Sequence, residues 1–380
     1  MPTIRILISG AGIAGLSLAH WLHRYGFEVT VVEKADGIRG GGQAVDFKGP
    51  VHRGVLTRMG ILDAVRRAHV DTADAALVNS AGRRIGTLPG AFAAGEINIR
   101  RGELVRILHH LTAHTCEYLF GDEITSLNQT RDGVDVTFAR AAPRTFDIVV
   151  GADGIHSSVR ALAFGPESTY VQHLGYHYAL ATLDVGDDDV MYNEPARMAA
   201  LGGSKAPAFF VFASDESARD GEPAQKAQLI DAYAGSRWRV PELMAEIPNA
   251  TEFHMDTISR VSMNRYVHGR VVLVGDSAYG NALGGYGTGL ALVGAYVLAG
   301  ELYRARGDHE TAFSRYETLV RDYAAVSQKV NAGRLLAPRT RLGILGRNIM
   351  FSALAVFAPL VKILDRPASN IDLVDYLDPR

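Results

Sequence analysis

The chain opens with apolar segments whose spacing is typical of a parallel β-sheet. Residues 4–8 are almost wholly aliphatic, residues 16–22 repeat apolar side chains with a helical period, and residues 28–32 are again rich in β-branched side chains. A short apolar run that ends at glycines predicts a buried strand, and the periodic run after it predicts a helix. The order strand, helix, strand predicts a βαβ unit at the start of the fold.

The pattern then changes period several times before returning to buried strands. The predicted elements of this part are, in chain order, a helix at 57–68, strands within 75–88, a helix at 101–111, strands at 118–127 and 133–138, and core strands at 146–150 and 270–274. A turn at Arg131-Asp132-Gly133 joins the two short strands 118–127 and 133–138, so we expect them to form a small antiparallel flap on the main sheet.

Residues 171–262 follow a different pattern and predict a second, antiparallel sheet. The predicted strands lie at 178–185, 196–201 and 208–213, with a helix at 225–233, and the chain is helical from residue 290. The chain therefore leaves the first fold, builds a second sheet and returns to the first, which predicts an α/β protein.

A glycine motif follows the first strand. Gly10, Gly12 and Gly15 form G-x-G-x-x-G between strand and helix, and Glu33 ends the second strand. The first glycine permits a tight turn, the second allows a pyrophosphate to approach the backbone, and the third allows close packing of helix and strand. An acidic residue at this distance is typical of binding to a ribose, so the unit predicts a site for FAD or NAD.

A second glycine-rich loop follows the core strand 270–274. Residues 274–295 contain seven glycines, and Gly287-Thr288-Gly289 immediately precede an apolar helix. A second G-x-G-x-x-G is missing from the sequence. We therefore expect this loop to meet the same nucleotide as the first.

Composition narrows the class of partner and of compartment. The net charge is −2 and the chain has a single cysteine, Cys116. This balance disfavours nucleic acid as a partner, and one cysteine excludes an internal disulfide and a thiolate zinc site, which indicates a reducing, cytoplasmic compartment. The apolar residues 349–364 contain Pro359 and Lys362 and fall short of the about 20 apolar residues of a membrane span.

Three motifs together resemble one enzyme family. Besides the first glycine loop, these are Gly151-Ala152-Asp153-Gly154-Ile155-His156-Ser157-Ser158-Val159-Arg160 and Val274-Gly275-Asp276. In this order they resemble the single-component (group A) FAD-dependent aromatic hydroxylases, the para-hydroxybenzoate hydroxylase family. Residues 4–330 look most like the branch that contains the tetracycline-inactivating monooxygenases.

The resemblance implies a fold and a division into domains. The fold would be α/β, with a Rossmann-like FAD-binding domain of the family's GR2 type, an inserted antiparallel β-sheet substrate domain and a helical C-terminus. We expect the FAD-binding domain at 1–75, 100–170 and 265–330, the substrate domain at 76–99 and 171–264, and the C-terminal helical segment at 331–380.

The resemblance also implies which residues contact the cofactors. For the adenosine half of FAD, the implied contacts are Gly10, Gly12, Ala14 and Gly15 with the pyrophosphate and Glu33 with ribose. For the flavin half, they are Arg101 with phosphate or ribityl oxygens, Gly275 and Asp276 with the ribityl chain, Gln43 and Asp46 beside the flavin ring after Gly40-Gly41-Gly42, and Gly287, Thr288 and Gly289 at its pyrimidine edge. Lys34 and Arg39 are candidate contacts for the nicotinamide phosphates. Asp153 would contact both cofactors, or cap the next helix and pair with Arg160.

The implied chemistry needs no catalytic side chain and no metal. FAD would take a hydride from NADPH or NADH and react with dioxygen to a flavin C4a-hydroperoxide, which hydroxylates an aromatic, polyketide-like or antibiotic small molecule. We expect Met191, Phe210, Phe212 and Leu283 to contact the substrate, with Phe209, Tyr192 and Met198 as further apolar candidates. A reductase or oxidase on the same fold, and a flavin-binding regulator without turnover, are alternatives.

Two features depart from the family or stay open. Tyr279 stands where many members have histidine, and Ala282 and Leu283 stand where a proline falls. The apolar segment 341–364 predicts a helix that closes the substrate cleft, lies on a membrane surface or is buried. The protein is expected to be a monomer or a homodimer.

Overall fold

A computed structural model describes residues 3–41, 43–90, 95–186, 188–202, 206–356 and 371–376. The strands are β1 (Arg5–Ser9), β2 (Glu28–Glu33), β3 (Ala44–Phe47), β4 (Ala75–Val78), β5 (Arg84–Leu88), β6 (Ile97–Arg100), β7 (Glu117–Phe120), β8 (Ile124–Gln129), β9 (Val134–Phe138), β10 (Arg144–Phe146), β11 (Ile148–Gly151), β12 (Val171–Ala181), β13 (Asp189–Glu194), β14 (Arg197–Gly202), β15 (Ala208–Ala213), β16 (Phe253–Val261), β17 (Val267–His268) and β18 (Val271–Leu273). The helices are α1 (Ile13–Arg24), α2 (Gly49–Arg58), α3 (Leu62–Arg67), α4 (Arg101–His110), α5 (Ser158–Phe164), α6 (Glu222–Ala232), α7 (Val240–Glu246), α8 (Asp276–Tyr279), α9 (Gly287–Arg304), α10 (His309–Ala324), α11 (Ala332–Leu336) and α12 (Arg341–Val356).

The first sheet is mainly parallel and has the order β17-β18-β11-β1-β2-β7. β1 lies near its middle, where Ile8 pairs with Val31 of β2 and Val150 of β11. These strands are continuous apolar runs because helices cover both faces of a parallel sheet. The long helix α9 is buried along most of its length and packs between α1 and α10.

The second sheet has the order β16-β12-β15-β14-β13-β4-β5 and is antiparallel except between β13 and β4. Its outer face packs under α6 and α7, where Leu229 and Leu243 are fully buried. Its inner face carries Tyr176, Met191 and Val211, and the second glycine loop packs against this face. The predicted α/β class, with its antiparallel second sheet and helical C-terminal part, is confirmed.

Several predicted element boundaries were wrong. The helix predicted at 57–68 is two helices, α2 and α3, because the chain turns at Gly60, whose φ of +74° favours glycine. The strand near Tyr118 is β7, which pairs in parallel with β2, so the flap consists of β8, β9 and β10 only. The strand predicted at 178–185 is β12, which begins and ends earlier. The strands β13 and β16 were not predicted at all.

The C-terminal helix packs on the second sheet. α12 packs on β5 and β13, with Phe351 buried, whereas Leu342, Leu345 and Ile349 are exposed. The predicted continuation to residue 364, with Phe357, Leu360 and Ile363, lies outside the described residues. In the described part of the chain, we find no helix with the length and apolarity needed to cross a membrane.

Candidate active site

The three glycines of the first loop have different surroundings. A Cβ atom on Gly10 would lie 2.6 Å from the Ala152 carbonyl oxygen, and one on Gly15 would lie 1.9 Å from the Gly10 carbonyl oxygen. At Gly12, no described heavy atom lies within 4 Å of that position. Gly10 and Gly15 therefore allow close packing, whereas Gly12 leaves open space at the start of α1, where free amides favour binding of an anion.

Glu33 is held at the end of β2 beside this loop. Its Oε2 accepts a hydrogen bond from the Ala11 amide at 2.8 Å, and its Oε1 accepts one from the Ala35 amide at 2.9 Å. The next side chain, Lys34, forms an ion pair with Glu123 at 3.0 Å and is largely exposed. The carboxylate of Glu33 is thus fixed where the nucleotide motif requires it, whereas Lys34 is engaged on the surface.

The second glycine loop lies directly against the first. Gly275 has a φ of +70°, and a Cβ atom there would lie 2.8 Å from Cβ of Ala14. This close approach places Asp276 at the start of α8, and its Oδ1 lies 3.6 Å from the position that a Cβ atom of Gly287 would take. The two loops, separated by more than 250 residues of sequence, therefore form one site.

Asp276 and Arg101 lie close enough for the charge of Arg101 to act on the Asp276 carboxyl. The Asp276 side chain is accessible to solvent but has protein around it on most sides, as expected for a residue that lines a cleft. Desolvation raises the pKa of its carboxyl, and the positive charge of Arg101 opposes that rise. The pair presents an acceptor and a cation to whatever lies between the loops.

The segment around Gln43 packs on the start of α4. The Arg101 amide donates to the Gln43 carbonyl oxygen at 3.1 Å, and the Gly102 amide donates to the Gly41 carbonyl oxygen at 3.0 Å. A Cβ atom on Gly102 would lie 2.6 Å from the Gly41 nitrogen, so this approach requires a glycine. Gly42, the last of the three predicted glycines, lies outside the described residues.

Asp46 lies beside the start of α9. Its carboxylate pairs with Lys48 at 3.3 Å, and the Lys48 Nζ lies 5.1 Å from the centre of the Tyr286 ring. α9 begins one residue later at Gly287, and no side chain in the described part of the chain caps its N-terminus. Its first amides are therefore available to a negative charge.

Asp153 and Arg160 have separate partners. Asp153 accepts hydrogen bonds from Ser157 Oγ at 2.5 Å and from the Val159 amide at 3.1 Å, so it stabilises the start of α5. The fully buried Arg160 donates to the Ser277 carbonyl oxygen at 3.0 Å and forms an ion pair with Glu167 at 3.6 Å. The charges of Asp153 and Arg160 act on each other, as expected, but the ion pair of Arg160 is with Glu167. Through Ser277, Arg160 also links this motif to α8.

The inner face of the second sheet contributes polar residues that the sequence did not reveal. Tyr178 on β12 and His254 on β16 lie with Tyr Oη and His Nε2 3.2 Å apart. Desolvation and the charges of Asp256 and Asp276 raise the pKa of Tyr178, whereas Arg101 opposes the rise. Desolvation lowers the pKa of His254, with Arg101 and Arg39 adding to the effect. These shared charges place the pair at the same cleft.

The predicted substrate residues divide between two faces of the second sheet. Met191 is buried on the inner face, and Leu283 of the second loop packs there half-buried. Phe210 and Phe212 point to the outer face, where both rings contact Tyr233. Because successive side chains of a strand alternate between faces, the sheet separates these phenylalanines from the loop. Tyr192 also lies on the outer face, whereas Met198 and Phe209 lie on the inner one.

Tyr279 packs in the interior. A Cβ atom on Gly294 of α9 would lie 2.0 Å from the Tyr279 hydroxyl oxygen, so the ring fills the space that this glycine leaves. The loop beyond it is fixed without a proline. The Gly280 carbonyl oxygen accepts from the Val261 amide at 2.8 Å, and the Tyr279 carbonyl oxygen accepts from Gln328 Nε2 at 2.8 Å.

Comparison with known proteins decides the family. The FAD binding domain family matches residues 3–326. A flavin-dependent monooxygenase of Legionella longbeachae serogroup 1 (strain NSW150) is 34% identical over 341 residues, which cover 86% of this chain and 87% of the relative. The chain is an FAD-dependent monooxygenase of the para-hydroxybenzoate hydroxylase type.

Two further similarities concern the whole monooxygenase. An uncharacterized protein of Mycobacterium tuberculosis (strain ATCC 25618 / H37Rv) is 39% identical over 329 residues, which cover 82% of this chain and 88% of the relative. The crystal structure of the tetracycline destructase Tet(51) superposes with a TM-score of 0.84 at 27% identity, over 98% of this chain and 100% of the other. The predicted family is confirmed.

The residues of the site fit FAD. Gly12 leaves open space at an N-terminus that has no side-chain cap among the described residues. The first amides of α9 supply the positive end of a helix dipole, Arg101 supplies a cation, and Asp276 supplies a hydrogen-bond acceptor. These groups suit a long ligand with a pyrophosphate in its middle and an electron-accepting ring at one end.

Proposed function

We propose that this monooxygenase hydroxylates a planar aromatic or polyketide-like small molecule, antibiotics included, with NADPH or NADH as reductant. Bound FAD supplies the chemistry by accepting a hydride from the reduced nicotinamide and activating dioxygen for transfer to the substrate. The observation that supports this best is that the second glycine loop contacts both the first loop and the inner face of the second sheet. The protein itself then has to bind and orient FAD and the substrate, and to exclude water from them.

In this proposal each loop holds one part of FAD. The amides around Gly12, with Gly10, Ala14 and Gly15, bind the pyrophosphate, and Glu33 binds the adenosine ribose. Asp276, after Gly275, and Arg101 bind the ribityl chain. The start of α9, with Gly287, Thr288 and Gly289, faces the pyrimidine edge, where its dipole stabilises negative charge on the reduced ring. Gln43 and Asp46 contact the ring edge, and Asp153 acts indirectly by fixing the loop before α5.

For the nicotinamide cofactor, we propose Arg39 in preference to Lys34. The positive charge of Arg39 acts on His254 and so reaches the cleft. The Lys34 amine instead pairs with Glu123 on the exposed surface. In this proposal, Arg39 is the cation that binds a phosphate of the nicotinamide cofactor at the cleft.

For the substrate, we propose a pocket between Leu283 and the inner face at Met191. Tyr178 and His254 supply the polar contacts that orient a hydroxyl or carbonyl group. Phe210 and Phe212 are left out of this pocket, since they face α6 and α7. The tetracycline destructase Tet(51) is similar over the whole chain, which favours polycyclic compounds as the first class to test.

Labelled dioxygen tests the proposed function. The FAD-loaded protein, NADPH or NADH and a panel of phenolic and polycyclic compounds are incubated under isotopically labelled dioxygen. We expect at least one compound to stimulate NAD(P)H oxidation and to gain one labelled oxygen atom by mass spectrometry. Stimulated oxidation with hydrogen peroxide as the sole oxygen product for every compound would contradict a hydroxylase and favour an oxidase. Sedimentation of the same preparation decides between monomer and homodimer.

A further inference from the structure

Leu283 has a backbone conformation that costs free energy. Its φ is +59°, in the left-handed region that bulky L residues rarely adopt. The next two residues, Gly284 and Gly285, are glycines, so the loop has residues for which this conformation is nearly free of strain. A leucine is nevertheless placed at the strained position.

The surrounding hydrogen bonds hold this strain in place. The Ala282 amide donates to the Ser259 carbonyl oxygen at 2.9 Å, which joins the loop to β16. Asn281 Nδ2 donates to the carbonyl oxygens of Ser327 at 2.5 Å and Val330 at 2.9 Å, which joins it to the chain after α10. The two residues before Leu283 are thus anchored to two different parts of the chain, which holds the backbone at Leu283 in place.

The side chain of Leu283 lies where the second glycine loop meets the second sheet. It is half-buried and packs with the inner-face cluster that includes Met191, Tyr178 and Phe209. It also stands four residues before Gly287, the start of the helix proposed to face the flavin's pyrimidine edge. Its aliphatic side chain covers a part of the loop in which Gly284, Gly285 and Gly287 offer no side chain.

We propose that Leu283 is held in this strained conformation to shield the reacting side of the flavin from water, which couples NAD(P)H oxidation to hydroxylation. This rests on the proposed function. In the coupled reaction, substrate C–H, NADPH, H⁺ and O₂ give substrate C–OH, NADP⁺ and H₂O. In the uncoupled one, NADPH, H⁺ and O₂ give NADP⁺ and H₂O₂, and exclusion of water favours the first course.

Two variants separate shielding from folding. Leu283→Gly removes both strain and side chain, and Leu283→Ala removes the side chain but keeps the strain. The control is Ala196→Gly, which relieves a φ of +66° at the turn between β13 and β14. We expect Leu283→Gly to keep or raise the Tm of the FAD-loaded protein, as Ala196→Gly does. Both Leu283 variants should increase hydrogen peroxide formed per NADPH by roughly threefold to tenfold, whereas Ala196→Gly leaves it unchanged.

A measurement without turnover keeps this proposal separate from the proposed function. Iodide quenching of bound flavin fluorescence reports access of a solute to the ring, and it should increase in both Leu283 variants but not in Ala196→Gly. Unchanged quenching in both would overturn the shielding role even if hydroxylation is found. Increased quenching in a protein that hydroxylates none of the panel would support the shield and contradict the hydroxylase. A Tm lowered in Leu283→Gly with unchanged quenching would show a packing role alone.

Discussion

His156 lies between two carboxylates that belong to different parts of the molecule. Its Nδ1 is 3.0 Å from Glu167 Oε1, and its Nε2 is 3.2 Å from Asp256 Oδ1 on β16 of the second sheet. The hydrogen bond to Asp256 raises the pKa of His156 to about 9, against desolvation and with Glu167 adding to the rise. At neutral pH an imidazolium therefore links the motif before α5 to the strand that carries His254.

Loss of this charge should make stability depend on pH. The pKa of His156 in the folded protein, about 9, is above the ordinary 6.5, so its stabilisation is complete below pH 6.5 and disappears as the pH rises through 9. His156→Gln should lower the free energy of unfolding by about 1 kcal/mol or less at pH 6, since the ring is half-exposed and solvent screens the pair. The Tm of both proteins at several pH values measures this, with the exposed His114→Gln as control. An equal Tm difference at low and high pH would contradict the charge linkage.

The Tyr178 hydroxyl should affect the substrate and not the flavin. In Tyr178→Phe, the ring is kept and the hydrogen bond to His254 is lost. We expect KM for a stimulating compound to rise about fivefold, the loss of about 1 kcal/mol from one hydrogen bond. Flavin titration should give an unchanged Kd for FAD. The matched control is Tyr118→Phe, which removes a hydroxyl that contacts Thr112, just after α4. A weakened FAD affinity would show that Tyr178 supports the flavin site instead.

At the scale of elements, the contact of α2 with α9 constrains the start of α9, the helix proposed to face the flavin. His52 of α2 is fully buried, its Nδ1 accepts from the Lys48 amide at 2.9 Å and its Nε2 lies 2.8 Å from Tyr323 Oη. A Cβ atom on Gly289 would lie 1.9 Å from this fixed ring. The helix start can therefore approach α2 only through a glycine.

Gly289→Ala should accordingly displace the start of α9. We expect a loss of about 1–3 kcal/mol in unfolding free energy from overpacking, and a weaker Kd for FAD by fluorescence titration. Gly346→Ala in α12 is the control, because no described atom lies within 4 Å of the added methyl group, and it should be neutral or stabilising. The double variant Gly289→Ala with His52→Ala should recover part of the FAD affinity. Normal FAD binding by Gly289→Ala alone would show that α9 does not contact the cofactor.

Elements that contain their own signal could be predicted from sequence, and contacts between distant elements could not. The unit β1, α1, β2 follows from apolar runs and from glycines whose roles depend on nearby backbone. By contrast, Tyr178 meets His254 only because β12 pairs with β16, 76 residues later, and nothing local encodes that pairing. Phe210 was misjudged for a related reason, since hydrophobicity alone does not tell which face of a strand meets the cleft.

For the whole molecule, the C-terminal segment joins the second sheet to the far end of α9. α12 packs on β5 and β13, and residues 371–376 return to α9, where the Tyr376 ring packs on Gly300. The Tyr376 hydroxyl donates to the buried Glu301 at 2.9 Å, and Tyr296 Oη donates to the Val374 carbonyl oxygen at 2.6 Å. This anchor lies 13 residues, or about 20 Å, from the helix start at Gly287.

Because of this distance, we expect substitution of Tyr376 to lower the stability of the protein without weakening its affinity for FAD. Tyr376→Ala empties the space above Gly300 and leaves Glu301 without this donor, so we expect a loss of about 3–5 kcal/mol in unfolding free energy. Because His52 holds the other end of α9 independently, Kd for FAD should change less than about twofold. Tyr376→Phe should cost about 1–3 kcal/mol for the lost hydrogen bond alone, since Glu301 keeps its ion pairs with Arg304 and Arg315. Thermal unfolding and flavin titration of both variants measure this, with the partly exposed Val374→Ala as control. If Tyr376→Ala releases FAD, the two ends of α9 are coupled and the C-terminal segment is part of the cofactor site.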